Sequence, residues 1–188
     1  ESATFFNNTI AYNYSPNPKD GASDNSEGGS GLFQYADGNQ RLSNLELYNC
    51  IFYGNYGVSI SSNATGTFND AYNCYVQGSI YTGLNGKFPS SKDNQVGQNL
   101  SNPFSVGSDA QIENNYRLIA GSSCINKGTE VVDGKILDLP STDMDYTNRI
   151  KDCTVDIGAY ERDNEDTTFP ENGVYYVTFT GFGNASAN

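Results

Sequence analysis

Hydrophobic and polar residues alternate along several short stretches of the chain, which is the period of a half-buried β-strand. In the clearest stretch, residues 45–53, the odd-numbered positions carry Leu, Ile or Tyr except at a corner expected near Asn49. Residues 3–12 and 173–180 alternate in the same way, and residues 13–31 form a polar loop rich in Pro and Gly. No long stretch has an apolar period of 3.6 residues. The pattern therefore predicts an all-β protein made of short strands.

Two of these stretches repeat each other. Residues 48–54 and 72–78 read YNCIFYG and YNCYVQG, and their offset is 74 − 50 = 24 residues. A third copy at residues 8–12 is displaced by 17 more residues, the length of the segment Ser15–Gly31. A period of this length is typical of a solenoid. We therefore predict a right-handed parallel β-helix with a loop-rich C-terminal cap. Stacked coils would bring three asparagines into an internal ladder at one corner, namely Asn8, Asn49 and Asn73.

Three regions follow from this pattern. Residues 1–162 are predicted to hold the coils and the cap. Residues 163–172, DNEDTTFPEN, are acidic and contain a proline, which favours a linker. Residues 173–188 begin with a strand and favour the start of a following module. The chain opens with Glu1 inside a strand-like pattern, so we expect a part of a longer chain or assembly.

Composition disfavours several classes of function. The 188 residues include 22 acidic and 10 basic ones, a formal net charge of −12, whereas nucleic acids and anionic membranes need a basic face. No run approaches the ~20 apolar residues of a membrane-spanning helix. Histidine is absent, which excludes Ser-His and Cys-His nucleophile pairs and His-ligated metals.

The second half of the chain contains an ordered series of motifs. They are NPF at 102–104, NYRL at 115–118, AGSSCINKG at 120–128, DMD at 143–145 followed by Arg149, and VDIGAYE at 155–161. This series resembles the C-terminal end of secreted bacterial pectate-lyase-like β-helix proteins with a choice-of-anchor Q ending, which are common among Bacteroidetes surface proteins. The resemblance covers residues 1–162 and implies a secreted or outer-surface location.

Charged residues of the terminal motifs have two readings. Arg149, Asp156 and Glu161 could form a catalytic cluster, because β-helix lyases use Lys or Arg as the base and hold Ca²⁺ with acidic groups. A guanidinium that forks onto carboxylates and carbonyls to close the open end is the preferred reading. Three aspartates could supply hard oxygen ligands to Ca²⁺, but their irregular spacing favours solvated turn carboxylates and no cofactor. These are Asp138, Asp143 and Asp145.

The four cysteines indicate an oxidising compartment if they are paired. Cys124 and Cys153 both lie in the terminal region, where a disulfide would pin the closing loop. Cys50 and Cys74 are expected one coil apart, within bridging range, yet side chains in a ladder usually remain thiols that pack as small apolar residues.

Three functions are consistent with these features. A non-catalytic adhesin or glycan-binding scaffold leads, because the 14 tyrosines could stack on the sugars of a polysaccharide or cell-surface glycan. The same rings could equally fill a core. A polysaccharide lyase or hydrolase whose catalytic coils lie mainly upstream is the alternative, and a structural spacer is the third.

Overall fold

The computed structural model describes eight stretches of the chain: residues 2–13, 29–34, 44–56, 58–62, 68–80, 86–104, 116–151 and 154–162. The predicted linker at 163–172 and the predicted strand at 173–180 lie outside the described residues.

Short strands dominate the described stretches, as the alternating pattern predicted. Their bounds are β1 Ser2–Phe6, β2 Thr9–Ala11, β3 Gly29–Gln34, β4 Asn44–Tyr48, β5 Ile51–Tyr53, β6 Val58–Ser62, β7 Phe68–Tyr72, β8 Tyr75–Gln77, β9 Ser79–Ile80, β10 Gln95–Gly97, β11 Val131–Val132 and β12 Lys135–Ile136. A 3-10 helix, Ser90–Lys92, precedes β10.

These strands form four small sheets. Three sheets are parallel, with strand orders β1-β4-β7, β2-β5-β8-β10 and β3-β6-β9. Tyr48 pairs with Tyr72 and Ile51 with Tyr75, which is the 24-residue offset of the repeat. The fourth sheet is the antiparallel pair β11-β12.

Side-chain alternation divides the apolar residues between two main cores. Phe52 and Val76 face the space between the parallel sheets, where they pack in a fully buried cluster with Leu47. Their neighbours Ile51 and Tyr75 face the opposite side of the same sheet and form a second core. That second core is completed from the C-terminal part of the chain by Phe104, Leu118, Cys124 and Ile157.

The predicted fold class is wrong. The described residues form several short parallel and antiparallel sheets and do not close into a single right-handed parallel β-helix. The 24-residue repeat occurs only twice, and three of the parallel pairings contain register shifts. After β10 the chain adds no described parallel strand; its turns, isolated bridges and the β11-β12 hairpin lie outside the three sheets instead.

In the part of the chain that the structure describes, no helix has the length and apolar character needed to cross a membrane.

Candidate functional site

A column of three asparagines follows the aligned ends of β1, β4 and β7. Asn7, Asn49 and Asn73 all have left-handed backbones, with φ of 50°, 54° and 50°. Asparagine tolerates this region better than most residues, which explains its recurrence at the corner. The structure places Asn7 rather than the predicted Asn8 beside Asn49, because β1 pairs with β4 at an offset of 42 residues. The amide of Asn8 instead donates to the carbonyl oxygen of Phe6 at 2.9 Å.

The amides of the asparagine column bind the main chain of the C-terminal region. Asn49 Nδ2 donates to Thr129 O at 2.9 Å, and Thr129 N donates to Asn49 Oδ1 at 2.8 Å. Asn73 Nδ2 donates to Lys127 O at 2.8 Å. The described bond between column amides runs from Asn49 Nδ2 to Asn7 Oδ1 at 3.3 Å. The column therefore docks a loop more than it forms the predicted internal ladder.

A second C-terminal segment docks on the part of the column formed by Asn7 and Asn49. Asn7 Nδ2 donates to Asp156 O, and Gly158 N donates to Asn49 O, both at 2.9 Å. Gly158 has φ of 106°, and a Cβ there would lie 2.6 Å from Ile51 Cδ1. Glycine is required at this position because both the backbone conformation and the close approach exclude a side chain.

A groove separates the turn at residues 89–95 from the loop at residues 126–133. It consists of two adjoining cavities of about 490 and 320 Å³, which share Asn73, Asp93 and Gly128 in their linings. We call it the polar groove. The larger cavity is also lined by Ser90, Asn94, Gln95, Asn126 and Lys127. The loop reaches this position because the asparagine column holds its main chain.

At least two side chains of the polar groove are available to a ligand. Within the described part of the chain, the Asp93 carboxylate and the Asn126 amide make no hydrogen bond or ion pair. Both residues have left-handed backbones, with φ of 55° and 53°. Asn94, in contrast, belongs to the framework, since its Oδ1 accepts from Cys74 N at 2.9 Å and its Nδ2 donates to Ala71 O at 2.7 Å.

The smaller cavity is bounded by Tyr72, whose ring and hydroxyl both contact neighbouring side chains. The Tyr48 ring stacks on it at 5.4 Å with an interplanar angle of 20°, and Lys92 Nζ lies 4.2 Å from the ring centroid. The Tyr72 hydroxyl donates to Asp133 Oδ2 at 2.9 Å, while Lys92 forms an ion pair with Asp70. Tyr72 therefore contributes a hydroxyl group, bonded to Lys92 and Asp133, to the edge of the groove.

Most of the tyrosines that the structure describes have roles other than binding a sugar; Tyr14, Tyr35 and Tyr81 lie outside the described residues. Tyr48 and Tyr75 are buried in the cores, and burial raises the pKa of Tyr48 to about 12. Tyr12 and Tyr53 pack edge to face at 5.9 Å. Tyr56 is exposed over 56% of its surface. The described rings thus favour the core-filling reading of the tyrosine content.

The structure brings the predicted cluster of Arg149, Asp156 and Glu161 together. Arg149 Nη1 donates to Glu161 Oε1 and to Gly158 O, both at 3.1 Å, and the guanidinium is buried. Glu161 Oε2 accepts from Asp156 N at 2.9 Å. Burial and the nearby Asp156 charge raise the pKa of Glu161 to about 7, against the opposing effects of Asp156 N and Arg149.

The third member of this cluster, Asp156, accepts hydrogen bonds from main-chain N–H groups. Asp156 Oδ1 accepts from Asn126 N and Asp156 Oδ2 accepts from Arg162 N, both at 2.7 Å. The same aspartate therefore fixes the backbone of Asn126 at the edge of the polar groove. These contacts support a positioning role for the cluster and leave none of its carboxylates directed at a substrate.

The three aspartates considered as possible calcium ligands do not converge. Asp143 accepts from Asp145 N, Thr147 N and Glu161 N at 2.9–3.0 Å, and these donors lower its pKa although burial acts in the opposite direction. Asp145 forms an ion pair with Arg117, and Asp138 lines a separate cavity. Among the described residues, no group of three or more Cys, Asp and Glu side chains could hold a metal ion.

The three described cysteines, Cys50, Cys74 and Cys124, form no disulfide with one another. Cys124 is a fully buried free thiol of the second core, and burial raises its pKa to about 12. The Cys124 side chain packs against Ile51 and Ile157. Its candidate disulfide partner Cys153 lies outside the described residues, so that pairing stays a prediction. Cys50 and Cys74 are buried free thiols, in agreement with the preferred reading of that pair.

Sequence reasoning missed the polar groove. Asp93 and Asn126 are separated by 33 positions and belong to no common motif. One signal was present in the sequence, because Asn126 and Gly128 fall inside the AGSSCINKG motif. The structure shows a reason for Gly128: a Cβ atom at this position would lie only 2.9 Å from Val155 O.

Comparisons with known proteins give no family. No family model matches the chain, and neither a curated protein nor a solved structure matches it. The resemblance to pectate-lyase-like proteins with a choice-of-anchor Q ending therefore rests on the quoted motifs alone.

Proposed function

We propose that this chain is a non-catalytic scaffold, secreted or displayed on the outer cell surface, that binds a neutral glycan in the polar groove as an adhesin does. The observation that carries the proposal is the pair of available side chains, Asp93 and Asn126, on the wall of an open cavity of about 490 Å³. A carboxylate accepts hydrogen bonds and an amide both donates and accepts them. Together they match the hydroxyl groups of a sugar ring.

The dimensions of the groove support a small polar ligand. Its two cavities, of about 490 and 320 Å³, fall in the range of roughly 300–1,000 Å³ that is usual for small-molecule sites. They adjoin along Asn73, Asp93 and Gly128, so a ligand longer than one sugar ring can span both. The firmly bonded framework of Asn73 and Asn94 holds the walls in place before a ligand arrives.

Charge favours a neutral sugar over a polyanion. Asp93 and Asp133 contribute two carboxylates to the groove, and the whole chain carries a net charge of −12. Lys92 is neutralised by its ion pair with Asp70, which leaves Lys127 as the main compensating cation of the lining. A uronate-rich polysaccharide would therefore meet net repulsion.

The internal bonding of Arg149 and Glu161 supports binding without turnover. A proton-abstracting base must reach a bound substrate, whereas the Arg149 guanidinium donates to Glu161, Gly158 O and Ala159 O and is almost fully buried.

A glycan array followed by calorimetric titration of the best neutral oligosaccharide tests the proposal. Asp93→Asn keeps the left-handed backbone and removes the charge, and Asn126→Gly keeps the backbone and removes the amide. Each should weaken binding by about tenfold, the effect of losing one well-placed hydrogen bond. Asp138→Asn is the matched control, since Asp138 is exposed outside the groove, and it should bind as the wild type does.

Three results would contradict the proposal. Equal affinity in Asp93→Asn, Asn126→Gly and the control would place binding elsewhere. An array without any binder would favour the structural spacer. Formation of unsaturated products from acidic polysaccharides, abolished by substitution of Lys92 or Lys127, would favour a lyase.

A further inference from the structure

A separate cavity of about 440 Å³ lies beside the β11-β12 hairpin, between residues 137–141 and the loop at residues 148–150. Leu137 N donates to Glu130 O at 2.8 Å and Arg149 N donates to Ser141 O at 3.0 Å, so main-chain bonds fix residues of its wall. All residues of the lining belong to the stretch 116–151, which the structure describes without a gap. We call it the arginine cavity, and it shares no lining residue with the polar groove.

Arg149 brings an unused hydrogen-bond donor to this cavity. The residue is only 4% exposed. Its Nη1 and Nη2 atoms donate to acceptors at residues 142, 158, 159 and 161, none of which lines the cavity. The part of Arg149 that does line the cavity therefore lies between its main chain and Nε. Among the described residues, Arg149 Nε is the fully buried side-chain nitrogen or oxygen that has no hydrogen-bond partner.

A ligand acceptor at Nε would restore the bond that this N–H loses on leaving water. A buried polar group without a partner is destabilising and rare in folded proteins. Nε is closed to water in this structure, but its chain neighbours Asn148 and Ile150 are exposed side chains of the same lining. Rotamer changes of such side chains are common on binding. A rotation of either one gives an acceptor oxygen access, while the Nη bonds keep the guanidinium in place.

The rest of the lining combines negative charge with apolar surface. Glu130 and Asp138 make no hydrogen bond or ion pair within the described part of the chain. The apolar members of the lining are Leu137, Leu139, Pro140 and Ile150. An anionic ligand would be repelled by the two carboxylates, and a sugar has no apolar body to place against the four apolar residues. The lining therefore suits a ligand that carries a positive group, an aliphatic group and a neutral acceptor.

We propose that the arginine cavity binds a short peptide segment of a partner protein, in which a basic side chain follows an aliphatic one. The positive group of the peptide meets Glu130 and Asp138, and the aliphatic side chain packs against Leu137. A main-chain carbonyl oxygen of the peptide, which is a neutral acceptor, accepts from Arg149 Nε. The volume of about 440 Å³ lies within the roughly 300–1,000 Å³ of small-ligand sites. The site is independent of the glycan proposal.

Calorimetric titration with three blocked dipeptides tests the charge preference. Acetyl-Leu-Lys-amide, acetyl-Leu-Gln-amide and acetyl-Leu-Glu-amide share the aliphatic side chain and the carbonyl groups and differ in the charge of the second residue. The lysine peptide should bind with a dissociation constant of about 1 mM or below. The glutamine peptide should bind about threefold to tenfold more weakly, because it forms no ion pair. The glutamate peptide should bind most weakly of the three.

Replacement of the carboxylates tests the location of the site. Glu130→Gln and Asp138→Asn keep the size of each side chain and remove its charge. Each should weaken binding of the lysine peptide about threefold, the effect of one partly exposed ion pair, and change binding of the glutamine peptide by less than about twofold. Glu46→Gln is the matched control: it makes the same change on β4, outside the lining, and keeps an acceptor for Thr4 Oγ1.

The role of Arg149 is tested in the wild-type protein, because a substitution of this buried residue could unfold it. Its Nε–H signal, assigned through bonds from the main chain in proton–nitrogen correlation spectra, should move downfield as the lysine peptide is added. The shift should saturate with the calorimetric dissociation constant. Asp138→Asn also separates the two proposals, since it should weaken the peptide and leave glycan binding in the polar groove unchanged.

Four results would overturn the peptide proposal. They are no binding of any blocked dipeptide, equal affinity for the lysine and glutamate peptides, an unmoved Arg149 Nε–H signal at saturation, and losses in Glu130→Gln and Asp138→Asn that do not exceed the loss in Glu46→Gln. Each of them leaves the glycan proposal intact, because the arginine cavity and the polar groove have no lining residue in common.

Discussion

Replacing Asn49 tests whether the asparagine column holds the C-terminal region in place. Asn49→Gly accepts the backbone φ of 54° and removes only the amide. That amide exchanges two hydrogen bonds with Thr129, at 2.8 and 2.9 Å. Each main-chain group that loses a buried partner costs roughly 1–3 kcal/mol. Because Thr129 is half-buried, water replaces part of the loss, and we expect a total of about 2–4 kcal/mol.

Asn49→Ala separates the amide from the backbone. Alanine loses the same two bonds and is also less favourable in the left-handed region than glycine, which adopts it freely, or asparagine, which adopts it with less strain. We expect it to be about 1 kcal/mol less stable than Asn49→Gly. Asn8→Ala is the control, because Asn8 donates one local bond to Phe6 O; it should cost about 1 kcal/mol or less.

Urea unfolding followed by circular dichroism at one protein concentration provides the measurement. With a slope near 2 kcal/mol per M, the midpoint of Asn49→Gly should fall by about 1–2 M. A loss below about 0.5 kcal/mol in Asn49→Gly would refute the docking role, since two partly buried main-chain groups cannot lose their partners at that cost. A larger loss in Asn8→Ala than in Asn49→Gly would show that the predicted Asn8 ladder is correct after all.

Three further predictions follow from single positions. Gly158→Ala should destabilise the protein by at least about 2 kcal/mol, because of the positive φ and the contact with Ile51. Gly121→Ala is the control, since Gly121 also has a positive φ but has open space around it, and it should cost about 1 kcal/mol. Equal losses of stability for the two variants in urea unfolding would contradict the clash with Ile51. The raised Glu161 pKa of about 7 means that the folded state binds the proton more tightly, so this group's contribution to stability should be complete below about pH 4 and decline as pH rises through about 7. Glu161→Gln should flatten that part of the stability profile, and an unchanged profile would show that another group titrates. Cys124 should react with a thiol reagent only upon unfolding, because it is fully buried; rapid labelling of the native protein at this position would contradict its packing.

The candidate site shows how far sequence reasoning extends. Arg149, Asp156 and Glu161 were grouped from their motifs, and they do meet in the structure. Asp93 and Asn126 were not found, because the groove they line exists only where a loop docks against a distant turn. The Cys124–Cys153 pairing stays a prediction, because Cys153 lies outside the described residues.

The sequence by itself determined the strands and the corner geometry. Alternation from Leu45 to Tyr53 and the repeated Tyr-Asn-Cys reflect local backbone preferences and a two-residue side-chain period, which neighbouring residues suffice to express. Tertiary structure decided which asparagine joins the column, that the sheets stay short instead of closing into a solenoid, and that residues 126–133 bound a groove. These outcomes depend on contacts between residues far apart in the chain, such as Asn49 with Thr129. The pattern of neighbouring residues does not indicate such contacts, because they contribute free energy only once the two distant segments pack against each other.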